Sequence, residues 1–363
     1  MSLIFNVPIN GVSFGQVSTC LLREAFSRNL QTGGVIPLAG QVDLSSQKPD
    51  DSFQRSLSEA LSKSLTNHDP NIPSFKVWHL NNDSLSSVSH RQFLLSFHET
   101  DSVTQHELNV AKRSEKLIFS SKYTCDVFKS AGLKNVEHMP LAFDSYNFKA
   151  LKAKAFSDDR ITFTLGGKFE HRKHHAKILS AWAKKFGDNK NYYLNCSLFN
   201  KFVSPEDNNA LIAQALQGKR YFNINFLGFM DDNLSYNDFL NSGDIIIGMS
   251  GGEGWGLPEF QSVAMGKHSV ILNGHGYKEW ATSENSVLVE PKGTVPVYDG
   301  MFFKEGAISN QGNILNWQED DFVSACELAI KRVQANKVNE AGLKLQEDFS
   351  EKKSLDRLLE IVQ

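Results

Sequence analysis

Four glycines fall within six positions of the stretch Ser250-Gly-Gly-Glu-Gly-Trp-Gly-Leu-Pro-Glu-Phe-Gln-Ser262, and no other part of the chain limits the fold as much. Before it runs Asp244-Ile-Ile-Ile-Gly-Met249. A short apolar, β-branched segment of this kind reads as a strand buried on both faces. After it, residues 260–265 carry apolar side chains at helical spacing, closed by Gly266. The unit is strand, glycine loop, helix. Pro258 suits the first helical turn, where its missing N–H costs nothing. A helix start behind such a loop offers free N–H groups and a partial positive charge to phosphates. One carboxylate, Glu253, sits in the loop. Two readings stay open from the loop alone. One is backbone for the diphosphate of a sugar nucleotide, with Glu253 for sugar hydroxyls. The other is a glycine-rich turn with a solvated glutamate.

The chain has 363 residues, enough for two ordinary domains. Hydrophobic residues make up 40% and charged residues 22%, the balance of a soluble globular protein. A net charge of -3 gives no electrostatic reason to expect nucleic acid or an acidic membrane as partner. Cys20, Cys125, Cys196 and Cys326 form no close pair, which excludes a C-x-x-C motif and suits a reducing, cytoplasmic setting. Residues 1–8 read as a first strand and not as a signal peptide. No apolar run reaches the roughly 18 residues a membrane helix needs.

In the first half, strands are expected at 3–9, 35–38, 74–79, 92–97, 116–120 and 136–139, with helices between. That alternation predicts a parallel sheet covered on both faces. Gly11-Val-Ser-Phe-Gly15 matches G-x-S-x-G, the nucleophile elbow of α/β-hydrolases, with Ser13 in the nucleophile place. On a first strand it lacks the earlier strand that supplies an oxyanion loop. Gly15 is therefore expected to let the backbone approach a ligand at the sheet edge. His98 ends a strand where open sheets place ligand contacts; a hydrogen-bonded core histidine is the equal alternative. Ser102 stands where a zinc H-E-x-x-H motif needs histidine. His106-Glu107 reads as an exposed helix face. Residues 147–159 read as the linker.

The second half repeats the strand, turn, helix unit at Gly166-Gly-Lys-Phe-Glu-His-Arg-Lys173. Lys168, Arg172 and Lys173 are counter-charges for a diphosphate, against a solvated basic helix start as the plainer reading. Cations at a helix N-terminus oppose its dipole, so their choice points to function. His171, His174 and His175 have no neighbouring carboxylate or cysteine set to make a metal site. Residues 291–318 read as an irregular loop over the cleft, and Trp280 as core.

Taken in order, Ser13-Phe-Gly-Gln-Val17, Ser96-Phe-His-Glu99, Ile118-Phe-Ser-Ser121, Met139-Pro-Leu141, Gly167 to Lys173, Phe226-Leu-Gly228 and Ser250 to Gly266 resemble the retaining glycosyltransferases of the GT-B fold, specifically glycosyltransferase family four. The similarity spans nearly the whole chain. It implies an α/β architecture of two Rossmann-like doubly wound domains facing across a cleft. Residues 1–147 would form the acceptor-side domain and 148–338 the nucleotide-sugar domain, with 339–363 a C-terminal helix packing back on the first.

The family motif is two glutamates with seven residues between. Glu253 fits the first, which holds donor-sugar hydroxyls. The second falls on Gln261, which keeps an acceptor for the ribose diol but loses the charge. Glu259 is expected to point elsewhere, as a first-turn carboxylate. By this resemblance Arg172, Lys173, Glu253 and His98 carry the chemistry. Gly15, Gly167, Lys168, Phe229, Gly254, Trp255, Gly256, Leu257 and Gln261 hold a UDP- or GDP-linked donor. A glycan or other hydroxyl compound is the acceptor, and no separate cofactor or metal is implied. A GT-B protein that binds, epimerises or hydrolyses the nucleotide sugar remains the alternative, with a Ser13 hydrolase more remote. Oligomeric state is silent.

Overall fold

A computed structural model of the chain describes residues 2–38, 40–152, 154 and 160–363. The first half forms a six-stranded sheet from β1 (Leu3–Pro8), β2 (Thr32–Leu38), β3 (Ser74–Val77), β4 (Gln92–Ser96), β5 (Lys116–Phe119) and β6 (Val136–His138). Their spatial order is β2-β1-β3-β4-β5-β6, and every pairing is parallel. Every residue of β1 and of β4 is buried, as helices on both faces require. β2 starts earlier than the apolar run alone suggests. Gly33 and Gly34 leave room there for Ile4 and Ser64 to press on the strand.

The second half forms another parallel sheet from β7 (Ile161–Gly167), β8 (Tyr192–Leu198), β9 (Ile224–Phe226), β10 (Ile245–Gly248), β11 (His268–Leu272) and β12 (Val287–Val289). The order β12-β11-β10-β7-β8-β9 runs outward in both directions from the β7/β10 pair. Ile245 pairs with Phe163 and Ile246 with Thr164 there. The two loops that leave the carboxyl ends of β7 and β10 therefore lie side by side. This is the switch point at which open parallel sheets bind ligands.

Residues 291–318 are more ordered than their composition suggests. They hold an antiparallel hairpin of β13 (Thr294–Pro296) and β14 (Asn313–Leu315), with Val297, Phe303 and Ile314 as a small core of its own. Of the expected linker 147–159, residues 153 and 155–159 lie outside the described residues. Before them, the Lys149 and Leu151 N–H groups donate to Asn237 and Asn241 of the helix Asn233–Asn241, each at 2.9 Å.

The C-terminal segment breaks into Glu340–Leu343, Leu345–Asp348 and Glu351–Ile361. Ser350 starts the last helix by accepting from the Lys353 N–H. That helix packs on the first domain. Leu355 and Leu358 are fully buried, each worth about 2 kcal/mol. Asp356 pairs with Arg28 at 2.6 Å, and Ser354 donates to the Pro140 carbonyl at 2.9 Å. All four cysteines are buried and free. Among the described residues no helix is long and apolar enough to cross a membrane.

Candidate active site

Each wall of the site is a turn that follows a strand. β7 ends on Gly167, whose φ of +124° lies where side-chain-bearing residues rarely go. The chain then makes a single tight turn, His171–Lys173, and enters the helix His175–Phe186. This turn is bound to the glycine loop after β10. The Gly251 N–H donates to the Arg172 carbonyl at 2.9 Å, and the Ser250 hydroxyl donates to the same oxygen at 3.3 Å.

The side chains converge as the backbones do. Lys173 Nζ lies 2.5 Å from Glu253 Oε1, and an Arg172 nitrogen lies 3.2 Å from the same oxygen. Arg172 also donates to the Gly252 carbonyl and pairs with Glu170 at 2.6 Å. Burial opposes charge on Glu253, but Lys173 and Arg172 outweigh it and hold the carboxyl down at about 2. The carboxylates in turn raise Arg172 and Lys173 against their own burial. The cluster is thus charged across the physiological range, with Lys173 on Glu253 and Arg172 shared between Glu253 and Glu170.

Glu259 is the first-turn carboxylate that the sequence predicts, but its surroundings are not those of an exposed turn. It is buried over the end of β10, where a methyl group on Gly248 would come within 2.7 Å of its Cγ. Burial pushes its carboxyl up to about 7, with Glu253 adding to the effect and Lys173 opposing it. Its carboxylate faces the Tyr277 hydroxyl, and Oε2 and that hydroxyl have no other hydrogen-bond partner among the described residues. A carboxylate in a first helical turn normally faces solvent. Here the sheet edge and Tyr277 cover it.

Gln261 is buried on the next turn, its Oε1 without a partner. Gly254, Trp255, Gly256 and Leu257 lead into the helix Leu257–Ala264. The N–H groups of Trp255, Gly256 and Leu257 find no acceptor among the described residues. The Trp255 ring itself is core, edge-on to Phe260 and Phe349, and its carbonyl accepts from Trp280. What Trp255 leaves open is its backbone N–H, not its ring.

The first domain closes the other side. The Ser120 hydroxyl donates to the Gly254 carbonyl at 2.7 Å, and Glu99 reaches to 3.9 Å from Arg172. Residues 308–313 strap the domains together. Asn310 N–H donates to Glu107 Oε1 at 2.9 Å, Thr104 to the Ile308 carbonyl at 2.7 Å, and Ser102 to the Gln311 carbonyl at 2.9 Å. Glu107, expected on an exposed face, is buried by this strap and by its capping bond to Thr104.

His98 is buried and hydrogen-bonded, as the second of its two sequence readings has it. Its Nε2 meets the Ser102 carbonyl at 2.7 Å and the Thr100 hydroxyl at 3.0 Å, and Nδ1 lies 4.0 Å from Glu107. The imidazole organises its own loop. Gly15 also has another reason to be glycine. A methyl group there would meet the Asn10 carbonyl at 2.2 Å, so the crowding is internal.

Lys168 pairs with Glu170 at 3.2 Å and lies over the Phe302 ring at 3.9 Å. Phe229 is exposed, beside Phe199 and under Lys201 Nζ at 3.7 Å. Ser13 is exposed at the first position of the helix Ser13–Ser27, and no histidine or carboxylate among the described residues bonds to it. That leaves the serine-hydrolase reading without a triad. His174 meets the Met249 carbonyl and Trp317, away from any ligand set. Among the described residues one group has metal-ligand spacing, Cys20, Asp144 and Glu351, and it shares no member with the Glu253 cluster.

No protein-family model matches the sequence, and no curated protein matches it. Solved structures do match in fold. HepE of Anabaena in complex with UDP-glucose aligns over 100% of this chain and 99% of its own, with TM-score 0.66 and 14% identity. A glycosyltransferase from Rickettsia africae aligns over 99% and 97%, with TM-score 0.67 and 12% identity. The catalytic domain of starch synthase IV from Arabidopsis thaliana, bound to ADP and acarbose, aligns over 99% and 98%, with TM-score 0.64 and 12% identity. The two doubly wound domains of this chain form the GT-B fold.

Proposed function

We propose that the chain is a glycosyltransferase that moves a sugar from a nucleoside diphosphate sugar to a hydroxyl acceptor, with retention at the anomeric carbon. The observation that carries the reading is the meeting of Arg172, Lys173 and Glu253 at the β7/β10 switch point, beside the unpaired N–H groups of 255–257. A departing diphosphate gathers negative charge. Arg172 and Lys173 are already fixed and charged where that happens, which is electrostatic preorganisation, worth about 3–4 kcal/mol per contact. The backbone N–H groups add neutral donors. Glu253 would take sugar hydroxyls, and Gln261 with its open Oε1 the ribose diol. His98 acts at one remove, by shaping the loop 98–107 on the acceptor side.

UDP-glucose and ADP bound to fold neighbours support a nucleotide diphosphate as donor class. The resemblance of the ordered motifs to family four supports retention. Two fixed cations serve the diphosphate, so metal-independent turnover is expected, with EDTA leaving the rate unchanged. The buried free thiols fit a cytoplasmic setting.

The test is a thermal-shift panel of UDP, GDP and ADP and their sugar conjugates, then incubation of the stabilising donor with and without glycan acceptors. Nucleoside diphosphate released only with an acceptor, and an α-linked product from an α-linked donor, is the expected result. Free sugar released at the same rate without acceptor identifies a hydrolase. No shift with any member of the panel refutes the reading.

A further inference from the structure

His275 stands out among the buried polar residues near the glycine loop. It follows β11 in the turn Asn273-Gly274-His275-Gly276 and has φ +46°, a left-handed conformation that a histidine adopts at a cost. It is 2% exposed, and neither ring nitrogen has a well-formed hydrogen bond: the backbone carbonyl that approaches the ring, that of Gly251, is already taken by the Leu315 N–H at 2.8 Å. Buried polar atoms are nearly always paired, so two open nitrogens on one residue with a strained backbone call for an explanation.

The surroundings supply one. The turn is fastened to the glycine loop, since the Gly276 N–H donates to the Glu253 carbonyl at 2.9 Å. A methyl group on Gly276 would meet the Gly254 carbonyl at 2.4 Å, so His275 is held at a fixed height beside that loop. Across the cleft its ring stands edge-on to Tyr123 of the first domain, with centroids 4.5 Å apart. Glu253, Arg172 and Asp101 are its charged neighbours. It thus lies where the two domains meet, beside the carboxylate assigned to the sugar.

We infer that His275 is a donor-sugar contact, and that its two open ring nitrogens meet hydroxyls of the transferred sugar ring rather than the diphosphate. This rests on the reading of the site as one for a nucleoside diphosphate sugar. Burial holds the imidazole down at about 4, so at neutral pH it is uncharged. A neutral imidazole offers one N–H donor and one nitrogen acceptor, the pair that a hydroxyl can satisfy as acceptor and donor. It brings no charge for phosphate oxygens, which Arg172 and Lys173 already serve. The sugar would also complete the buried hydrogen bonding that the protein leaves open, and so offset the strained backbone.

The two chemistries are separated by comparing UDP with UDP-glucose, and GDP with GDP-mannose if the uridine pair does not bind. His275→Gly suits the backbone and removes the ring; His275→Asn also tolerates the left-handed conformation and keeps one donor and one acceptor. His275→Gly is expected to bind the free nucleotide as wild type does, while its affinity and kcat/KM for the nucleotide sugar fall by roughly 10-fold or more. His275→Asn recovers part of the loss. Equal losses for nucleotide and nucleotide sugar would mean that the side chain merely shapes the loop, and would overturn the inference. So would wild-type affinity for the nucleotide sugar in His275→Gly. A wild-type protein that binds nucleotides and transfers sugar, with an indifferent His275→Gly, sinks this inference alone. A wild-type protein that binds none of the four compounds sinks the donor-site reading with it.

Discussion

The ammonium of Lys173 and the carboxylate of Glu253 meet at 2.5 Å although 80 residues of chain separate them. Neither side chain could be buried alone. Removing one partner of a buried pair costs about 3–5 kcal/mol, because the other charge is left without compensation. Lys173→Ala and Glu253→Ala should each lower turnover by at least ~100-fold and also lower Tm. The double variant Lys173→Met with Glu253→Gln keeps the volume and removes both charges. It should recover much of the Tm and none of the activity. Calorimetry beside a nucleotide-release assay checks this, and recovery of both together would put the pair outside the chemistry.

Glu253 and Glu259 should give opposite pH dependences. Glu253 is held at about 2 in the folded protein against an ordinary 4.5, so it is more acidic folded than unfolded. Its contribution to stability is complete above 4.5 and fades as pH falls toward 2. Glu259 is raised from 4.5 to about 7, so the folded state holds its proton more tightly. Its contribution is complete below 4.5 and is lost as pH rises through 7. Glu259→Gln should therefore flatten the fall in Tm between pH 4.5 and about 7. A variant whose Tm tracks wild type across that window would show that Glu259 is ionised throughout.

The contrast between these two glutamates also shows what a sequence can carry. Glu253 was legible because it is the lone side chain with charge in a glycine loop between a buried strand and a helix. The basic turn at Lys168, Arg172 and Lys173 was legible for the same reason, since a strand's carboxyl end fixes where a loop opens. Glu259 was not, because its burial depends on Tyr277, which approaches from a different strand connection. His275 was equally hidden. Its open nitrogens and left-handed backbone are tertiary facts, and only the flanking Gly274 and Gly276 hinted at a crowded turn. The hairpin in 291–318 escaped because its strands are three residues long and its pairing spans a loop. His98 was legible as a strand-end histidine but its partners were not, since sequence places a strand end and not what a side chain meets.

Arg172 should not tolerate lysine. Its guanidinium reaches Glu170, Glu253 and the Gly252 carbonyl at once, which uses the planar fork. A lysine ammonium can serve one or two of these. Arg172→Lys should lose about 2–3 kcal/mol, the scale of one charge-assisted hydrogen bond left unmade in a buried site. Urea unfolding measures the change directly. A variant as stable as wild type would show that Glu170 and Gly252 are satisfied without the fork.

Gly252 offers the sharpest test of how the domains meet. A methyl group there would stand 2.0 Å from the Glu99 carbonyl of the first domain and 3.2 Å from Ile314 of β14, next to the strap. The nearer atom is backbone, so no rotamer change relieves the clash. Both domain cores lie elsewhere, and Gly252→Ala should fold with a Tm near that of wild type. What must yield is the contact itself, by parting of Glu99 from Gly252 and loosening of the strap at Asn310 and Ile308. Glu99 would then draw away from Arg172, and water would enter beside the cationic pair. Screening by that water weakens every charge interaction the diphosphate is proposed to feel. The expected outcome is a larger radius of gyration in solution scattering, with kcat reduced more than nucleotide affinity, since Arg172 and Lys173 stay in place. Unchanged scattering with unchanged turnover would mean that the close approach of Glu99 and Gly252 plays no part in the working protein.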